Sequence, residues 1–176
     1  MRRFLPLLPL LLLAACGSAG GSARLGGGTS APIECAPFAR ALSGVQIRGA
    51  AADWWWQAQG RYQRSYTPEI GSVFVFQRTG RLRSGHVAVV SQVLSSRQIL
   101  VTQANWVHHR VTEDQPVIDV SAANDWSLVR VWWPPSGQMG ITEFPAHGFI
   151  RAARPSSHDS IAASTPGAIR AAMNGG

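Results

Sequence analysis

The chain has 176 residues, enough for one domain with appendages and short for a multidomain protein. Its formal net charge is +7, and every basic residue except histidine is an arginine. The arginines are scattered, with no basic run and no nucleic-acid motif, which argues against nucleic acid as a partner. The positive charge favours an anionic polymer instead, and for an exported protein that means a cell-wall or envelope component.

The first sixteen residues are typical of an export signal. Arg2 and Arg3 precede an apolar run over residues 5–13, which is too short to span a membrane. Residues 13–16, Leu-Ala-Ala-Cys, resemble the lipobox of bacterial lipoproteins. The resemblance implies that Cys16 is lipidated and anchors the mature protein. Since Ser18 is not the aspartate of many inner-membrane lipoproteins, we expect the outer membrane, facing the periplasm; an ordinary secretory signal is the alternative.

Four segments are predicted from composition. Residues 1–16 are the signal peptide, and residues 17–32 are a flexible Gly/Ser-rich tether. Residues 33–150 carry the compact domain, which we expect to be a monomer. Residues 151–176 have few large apolar side chains, so we predict a disordered tail.

Within the domain, helical patterns come first and strand patterns follow. Helices are predicted near residues 36–43 and 50–59. Short runs rich in Val, Ile, Phe and Trp then predict strands, at residues 72–76, 86–94, 98–103, 117–120 and 128–133. Because no helices alternate with these strands to supply parallel crossovers, we predict an α+β fold with N-terminal helices packed on an antiparallel sheet.

Cys35 is the candidate nucleophile. If Cys16 carries lipid, Cys35 has no intramolecular partner in an oxidising compartment. Pro37 is predicted at the first position of a helix that ends at Gly44. The thiol would then lie at a helix N-terminus, where the dipole and free N–H groups lower a cysteine pKa. The competing interpretation is a buried cysteine that acts as a small hydrophobe.

His86 is the candidate base. It precedes an apolar run that predicts a buried strand, so its imidazole would be held rigidly, and Gly85 would permit close approach. Gln103 and Asn105 follow on the next strand, two residues apart and predicted on one face, so either amide could orient His86. Trp106 could shield that hydrogen bond from water.

The remaining histidines and the tryptophans have simpler interpretations. His147 is the second choice as base, His108 and His109 are read as a loop, and His158 as a solvated residue of the tail. Adjacent residues on a helix are about 100° apart, so residues 54–56, Trp-Trp-Trp, cannot all share a face, and we expect core packing for one or two of them. No spacing typical of a metal site occurs, so no metal and no cofactor are expected.

Three motifs in register resemble the CHAP domain, the cysteine- and histidine-dependent amidohydrolases and peptidases. They are Glu34-Cys35 followed by Phe38-Ala39-Arg40, then residues 84–90 around His86, then Ala104-Asn105-Trp106. The resemblance implies a papain-like fold related to the NlpC/P60 enzymes and action on the peptide part of peptidoglycan. It makes Cys35 the nucleophile, His86 the base and Asn105 the polar residue of the third motif, with no cofactor.

Two departures from the family pattern matter. Many members have a carboxylate where Gln103 stands, so we predict that Asn105 orients His86 instead. No residue before Cys35 clearly matches a second oxyanion-hole donor. The expected activity is cleavage of an amide in a stem or cross-bridge peptide, with a possible activating protein partner. The alternatives are an inactive protein of the same fold that binds cell wall or a division partner, and a protease or amidase acting on envelope proteins or small conjugates.

Overall fold

A computed structural model describes residues 32–151 and 156–175 of the chain. The predicted signal peptide, the lipidation site Cys16 and all but the last residue of the predicted tether lie outside the described residues. Within the described ranges, no helix is long and apolar enough to cross a membrane.

Two short helical segments precede the strands, as predicted, but a third and longer helix follows them. Helix α1 spans Cys35–Ser43, and a 3-10 turn, Ala51–Asp53, leads into α2, Trp54–Gln57. The strands are β1 (Arg64–Ser65), β2 (Val73–Phe76), β3 (His86–Ser95), β4 (Gln98–Ala104), β5 (Val111–Asp119), β6 (Leu128–Trp133), β7 (Gln138–Met139) and β8 (Phe144–Ile150). A second 3-10 turn, Pro134–Ser136, lies between β6 and β7, and helix α3 spans His158–Asn174.

All strand pairings are antiparallel, which confirms the predicted mixed fold with an antiparallel sheet. The sheet is not open, however. Strand β8 pairs with both β2 and β6, so six strands, β2 to β6 and β8, close into a barrel-like sheet. The last strand returns to the first long one, a long-range pairing that no local pattern in the sequence reveals.

Strands β2, β3, β4 and β8 each contribute to two apolar clusters, because alternate side chains point to opposite faces. On β2, Val73 and Val75 pack with the helices, whereas Phe74 and Phe76 lie in the cluster inside the barrel. Both clusters are built from side chains with almost no solvent exposure. The start of β3 lies where the helix side and the barrel interior meet.

The C-terminal segment is not the disordered tail that we predicted. Helix α3 covers 17 residues and packs against α1, so the longest helix is C-terminal rather than N-terminal. Ser157 caps it through a reciprocal capping box with Ser160. Its buried stripe consists of Ile161, Thr165, Ala168 and Ala172. Small side chains permit close packing between helices. The predicted disorder was based on the scarcity of large apolar residues and did not take such packing into account.

Candidate active site

Cys35 is the first residue of α1 and is half-buried. Helix α1 ends at Gly44, which adopts the left-handed conformation with φ 75°, as the sequence predicted. Pro37 is the third helical residue rather than the first. It still costs no hydrogen bond there, because the first four N–H groups of a helix have no partner inside it.

The Cys35 side chain packs against the apolar cluster that contains Val87, at the start of β3. Burial raises the pKa of the Cys35 thiol, the nearby backbone N–H groups of Val87 and Ala36 oppose this rise, and the negative charge of Glu34 adds to it. The expectation that a position at the helix N-terminus would lower this pKa is therefore wrong for the protein without substrate. Burial outweighs the effect of the nearby N–H groups.

His86 begins β3, as predicted from the apolar run that follows it. Gly85 precedes it at φ 74°, and a Cβ there would lie 2.6 Å from the backbone nitrogen of Ala52, so the close approach requires glycine. The imidazole is 3% exposed and forms a three-ring cluster with Phe76 and Trp106, at centroid distances of 5.5 Å and 5.1 Å, while those two rings lie 5.7 Å from each other. Packing in this cluster restricts the position of the imidazole.

Gln103 is the side chain that hydrogen-bonds to His86. The distance from His86 Nε2 to Gln103 Oε1 is 2.9 Å. If Nε2–H donates to this carbonyl oxygen, Nδ1 is the nitrogen left with a lone pair. Gln103 is fully buried, and its Nε2 has no hydrogen-bond partner among the described residues. The amide thus supplies an acceptor and no charge.

The pKa of His86 falls to about 4. Burial is the main cause, because it penalises the imidazolium, and the hydrogen bond to Gln103 opposes it only in part. With the pKa of Cys35 raised and that of His86 lowered, the resting pair is a neutral thiol and a neutral imidazole at neutral pH. It is not the thiolate–imidazolium pair.

Asn105 does not contact His86, contrary to our prediction. It lies just past the end of β4 with φ 61°, so the alternation that would have placed it on the face of Gln103 is broken there. Its Nδ2 donates to Glu34 Oε2 at 2.7 Å, and its Oδ1 accepts from the backbone N–H of His109 at 2.8 Å. Asn105 therefore joins the turn after β4 to the residue before Cys35.

Trp106 covers one face of the His86 ring and also lines a cavity of about 540 Å³. Asn105, Phe144 and residues of the β6–β7 hairpin line the same cavity. The cavity therefore adjoins residues that contact His86 and Glu34, although Cys35, His86 and Gln103 do not themselves line it. It is the candidate substrate-binding site.

The structure also places the other histidines and the tryptophans that the sequence analysis considered. His147 on β8 stacks on Trp55 at 6.0 Å, and His108 and His109 lie in the turn between β4 and β5. Trp54 and Trp55 are buried in the core, whereas Trp56 is exposed. In residues 32–151 and 156–175, no cluster of three or more His, Cys, Asp or Glu side chains could hold a metal ion.

Two arrangements were missed by sequence reasoning. One is the Glu34–Asn105 contact beside the thiol, which spans 71 positions of the chain. The other is a cluster in which Asp114 accepts from Ser91 at 2.6 Å and pairs with His158 at 3.0 Å. His158 is therefore not the solvated tail residue that we expected. Neither contact has a local sequence signal, because each depends on how distant segments meet.

Comparison with known proteins gives one family match. A family model described as the CHAP domain matches residues 26–105, a range that includes Cys35, His86, Gln103 and Asn105. No curated protein matches the chain. The CHAP family is generally hydrolytic, with amidase or peptidase activity. The match therefore supports the assignment of residues 26–105 to a CHAP domain.

Proposed function

We propose that the protein is a cysteine amidohydrolase or peptidase that cleaves amide bonds in the peptides of peptidoglycan. Cys35 is the nucleophile, His86 the general base and acid, and Gln103 the residue that orients His86. One observation carries the proposal: the 2.9 Å bond from His86 Nε2 to Gln103 holds the ring at the start of β3, next to Val87, which belongs to the apolar cluster that Cys35 packs against.

The first half of the reaction forms a thioacyl-enzyme. His86 Nδ1 takes the thiol proton as Cys35 Sγ attacks the amide carbonyl carbon, and the carbonyl oxygen becomes an oxyanion. The backbone N–H of Cys35, at the positive end of α1, is one donor that could stabilise this oxyanion. The imidazolium then gives its proton to the amine nitrogen, and the C–N bond breaks.

The second half regenerates the enzyme. A water molecule attacks the thioester carbon while His86 removes its proton, the C–S bond breaks as the imidazolium returns this proton to Cys35 Sγ, and the carboxylic acid leaves. This general-base route requires an unprotonated His86, and its lowered pKa keeps it so at neutral pH, although the same shift makes it a weaker base. The His86–Gln103 bond supports this route further by keeping the ring in one tautomer.

The substrate class rests on the CHAP match together with the export signal and the positive net charge of the chain. A lipid anchor at Cys16 would hold the enzyme at the outer membrane, facing the periplasm and the peptidoglycan layer. The protein would work as a monomer without a cofactor, with or without an activating protein partner.

The test is digestion of purified peptidoglycan sacculi followed by mass spectrometry of the released fragments. The wild type should release fragments, whereas Cys35→Ala and His86→Ala should lose activity by about 10²–10⁴-fold. A new free amine on a stem-peptide residue identifies an endopeptidase, and separation of the lactyl group from L-alanine identifies an amidase. Equal release by all three proteins would refute the proposal.

One observation favours a second candidate, a protein of this fold that binds cell wall without turnover. The raised pKa of Cys35 and the lowered pKa of His86 leave the pair uncharged. Binding to sacculi without fragment release, unchanged in Cys35→Ala, would support this candidate against the hydrolase.

A further inference from the structure

The cavity beside His86 has one charged wall. Arg81, on the loop between β2 and β3, is the single charged residue among the described residues that line it. Opposite the loop, the β6–β7 hairpin supplies Trp133 and Met139, and the segment after it supplies Ile141. A volume of about 540 Å³ lies within the range of small-molecule and peptide sites.

Arg81 is free to bind a ligand. Its side chain is exposed, and within the described part of the chain it makes no salt bridge. Arg78, three residues earlier, is instead held by Asp53 in a two-pronged ion pair at 2.6 Å and 2.7 Å. A guanidinium without an internal partner offers two parallel N–H donors, which match the two oxygens of a carboxylate.

The apolar wall is unusually exposed. Ile141 is 88% exposed and Trp133 is 41% exposed, although both are large hydrophobic residues. They border the same cavity as Arg81 and lie outside residues 26–105, the range that matches the CHAP family model. The apolar wall is therefore built by residues that follow the range matched by the family model.

We propose that this cavity is a substrate subsite in which Arg81 binds a peptide carboxylate while Trp133 and Ile141 contact the apolar part of the same peptide. The inference rests on the proposed function and narrows its substrate to peptides with a free carboxylate near the scissile amide. Asn105 and Trp106 line the cavity and contact Glu34 and His86 respectively, so a peptide bound there would lie against residues that touch the neighbours of the catalytic pair.

The carboxylate could come from two sources in a stem peptide, the C-terminus or an isoglutamate residue. Three synthetic stem peptides separate them: one with both groups free, one with a C-terminal amide, and one with isoglutamine in place of isoglutamate. Steady-state hydrolysis of each is measured with the wild type and with Arg81→Gln. Arg83→Gln is the matched control, because Arg83 is an exposed arginine of the same loop that does not line the cavity.

Arg81→Gln should raise KM for the fully charged peptide about tenfold or more, with kcat little changed, since it removes a charge-assisted bond. On the peptide that lacks the recognised carboxylate, the wild type and Arg81→Gln should behave alike. An unchanged KM of Arg81→Gln for the fully charged peptide, or an equal rise in KM for all three peptides, would refute the proposed subsite.

A binding experiment separates failure of the subsite from failure of the proposed function. Titration of the three peptides into Cys35→Ala by calorimetry measures affinity without turnover, and Cys35→Ala/Arg81→Gln is the comparison. If binding depends on the peptide carboxylate and on Arg81, but the wild type hydrolyses none of the peptides, the subsite is supported and the hydrolase is refuted. If the wild type hydrolyses the peptides, but Arg81→Gln leaves their affinity unchanged, the hydrolase is supported and the subsite is refuted.

Discussion

Two histidines of this protein are paired in opposite ways. His86 is buried inside the mouth of the barrel, its partner is the neutral amide of Gln103, and its pKa falls to about 4. His158, at the start of α3, is partly exposed and pairs with the carboxylate of Asp114. The hydrogen bond and charge of Asp114 raise the pKa of His158.

The comparison shows what each kind of partner does to an imidazole. Burial against an amide keeps His86 unprotonated at neutral pH, and the same lowered pKa makes it a weaker base. An imidazole that holds a helix in place is better charged, and a carboxylate achieves that. Many members of the family that the sequence resembles have a carboxylate at the position of Gln103. In this protein the carboxylate–histidine pair joins Asp114 to His158 instead, at the start of α3.

The largest expected effect is on acid stability. Because the folded pKa of His86 lies below that of a free histidine, unfolded chains bind a proton that the folded protein does not. Stability should therefore fall by about 3 kcal/mol as pH drops from about 6.5 to 4. Urea unfolding at both pH values measures this, and His86→Gln should lose less stability on acidification than the wild type. The same loss in His86→Gln would show that the histidine is not its source.

The next effect separates Gln103 from Asn105. Gln103→Ala should lower kcat on peptidoglycan peptides roughly tenfold to a hundredfold, because a buried hydrogen bond to the base is lost. Asn105→Ala should cost less, since Asn105 contacts Glu34 and not His86. Thermal unfolding of both variants controls for misfolding. The reverse ranking would restore Asn105 as the orienting residue.

A smaller effect is expected from placing a charge beside His86. In Gln103→Glu the carboxylate should raise the pKa of His86, favour the thiolate–imidazolium pair and speed alkylation of Cys35 by iodoacetamide at pH 7. In the wild type, alkylation should be slow at pH 7 and accelerate at higher pH, because the pKa of Cys35 is raised. Gln98→Glu, at the other end of β4, is the control. Equal alkylation rates in all three would contradict the charge argument.

The smallest effect concerns the attachment of α3. Burial pushes the pKa of Asp114 up, but the hydrogen bonds from Ser91 and His158 outweigh it and leave that pKa lowered. The raised pKa of His158 means that its contribution is present at low pH and is lost as pH rises through that pKa. The Asp114 contribution is lost as pH falls through its lowered pKa.

Hydrogen exchange of the α3 amides tests this attachment. His158→Gln should exchange a few-fold faster than the wild type at pH 6, and the difference should shrink at pH 8. His108→Gln, which removes an exposed histidine that makes no ion pair among the described residues, should exchange like the wild type. Exchange in His158→Gln that matches the wild type at pH 6 would show that the ion pair does not hold the helix.

Local patterns predicted the features that depend on neighbouring residues. The strand that begins at His86, the helix that ends at Gly44 and the antiparallel pairing all follow from apolar runs, glycine and the absence of crossover helices. The partner of His86 could not be chosen in this way. A single left-handed residue, Asn105, turns its side chain away from the face of Gln103.

Barrel closure and α3 were missed for a related reason. The pairing of β8 with both β2 and β6 depends on segments far apart in the chain. Helix α3 buries mostly alanine and threonine against α1, so its stability comes from close contact rather than from a strong apolar pattern. The direction of the pKa shift of the Cys35 thiol could not be predicted either, because it depends on how deeply the thiol is buried in the folded protein.

The central claim is that Cys35 and His86 hydrolyse amide bonds in peptidoglycan peptides. The most direct measurement is intact-protein mass spectrometry of quenched reactions with sacculi-derived peptides, together with analysis of the products. We expect a peptide acyl adduct on Cys35 in the wild type, new free amines among its products, and neither in Cys35→Ala. Product formation by Cys35→Ala at the wild-type rate would contradict the account.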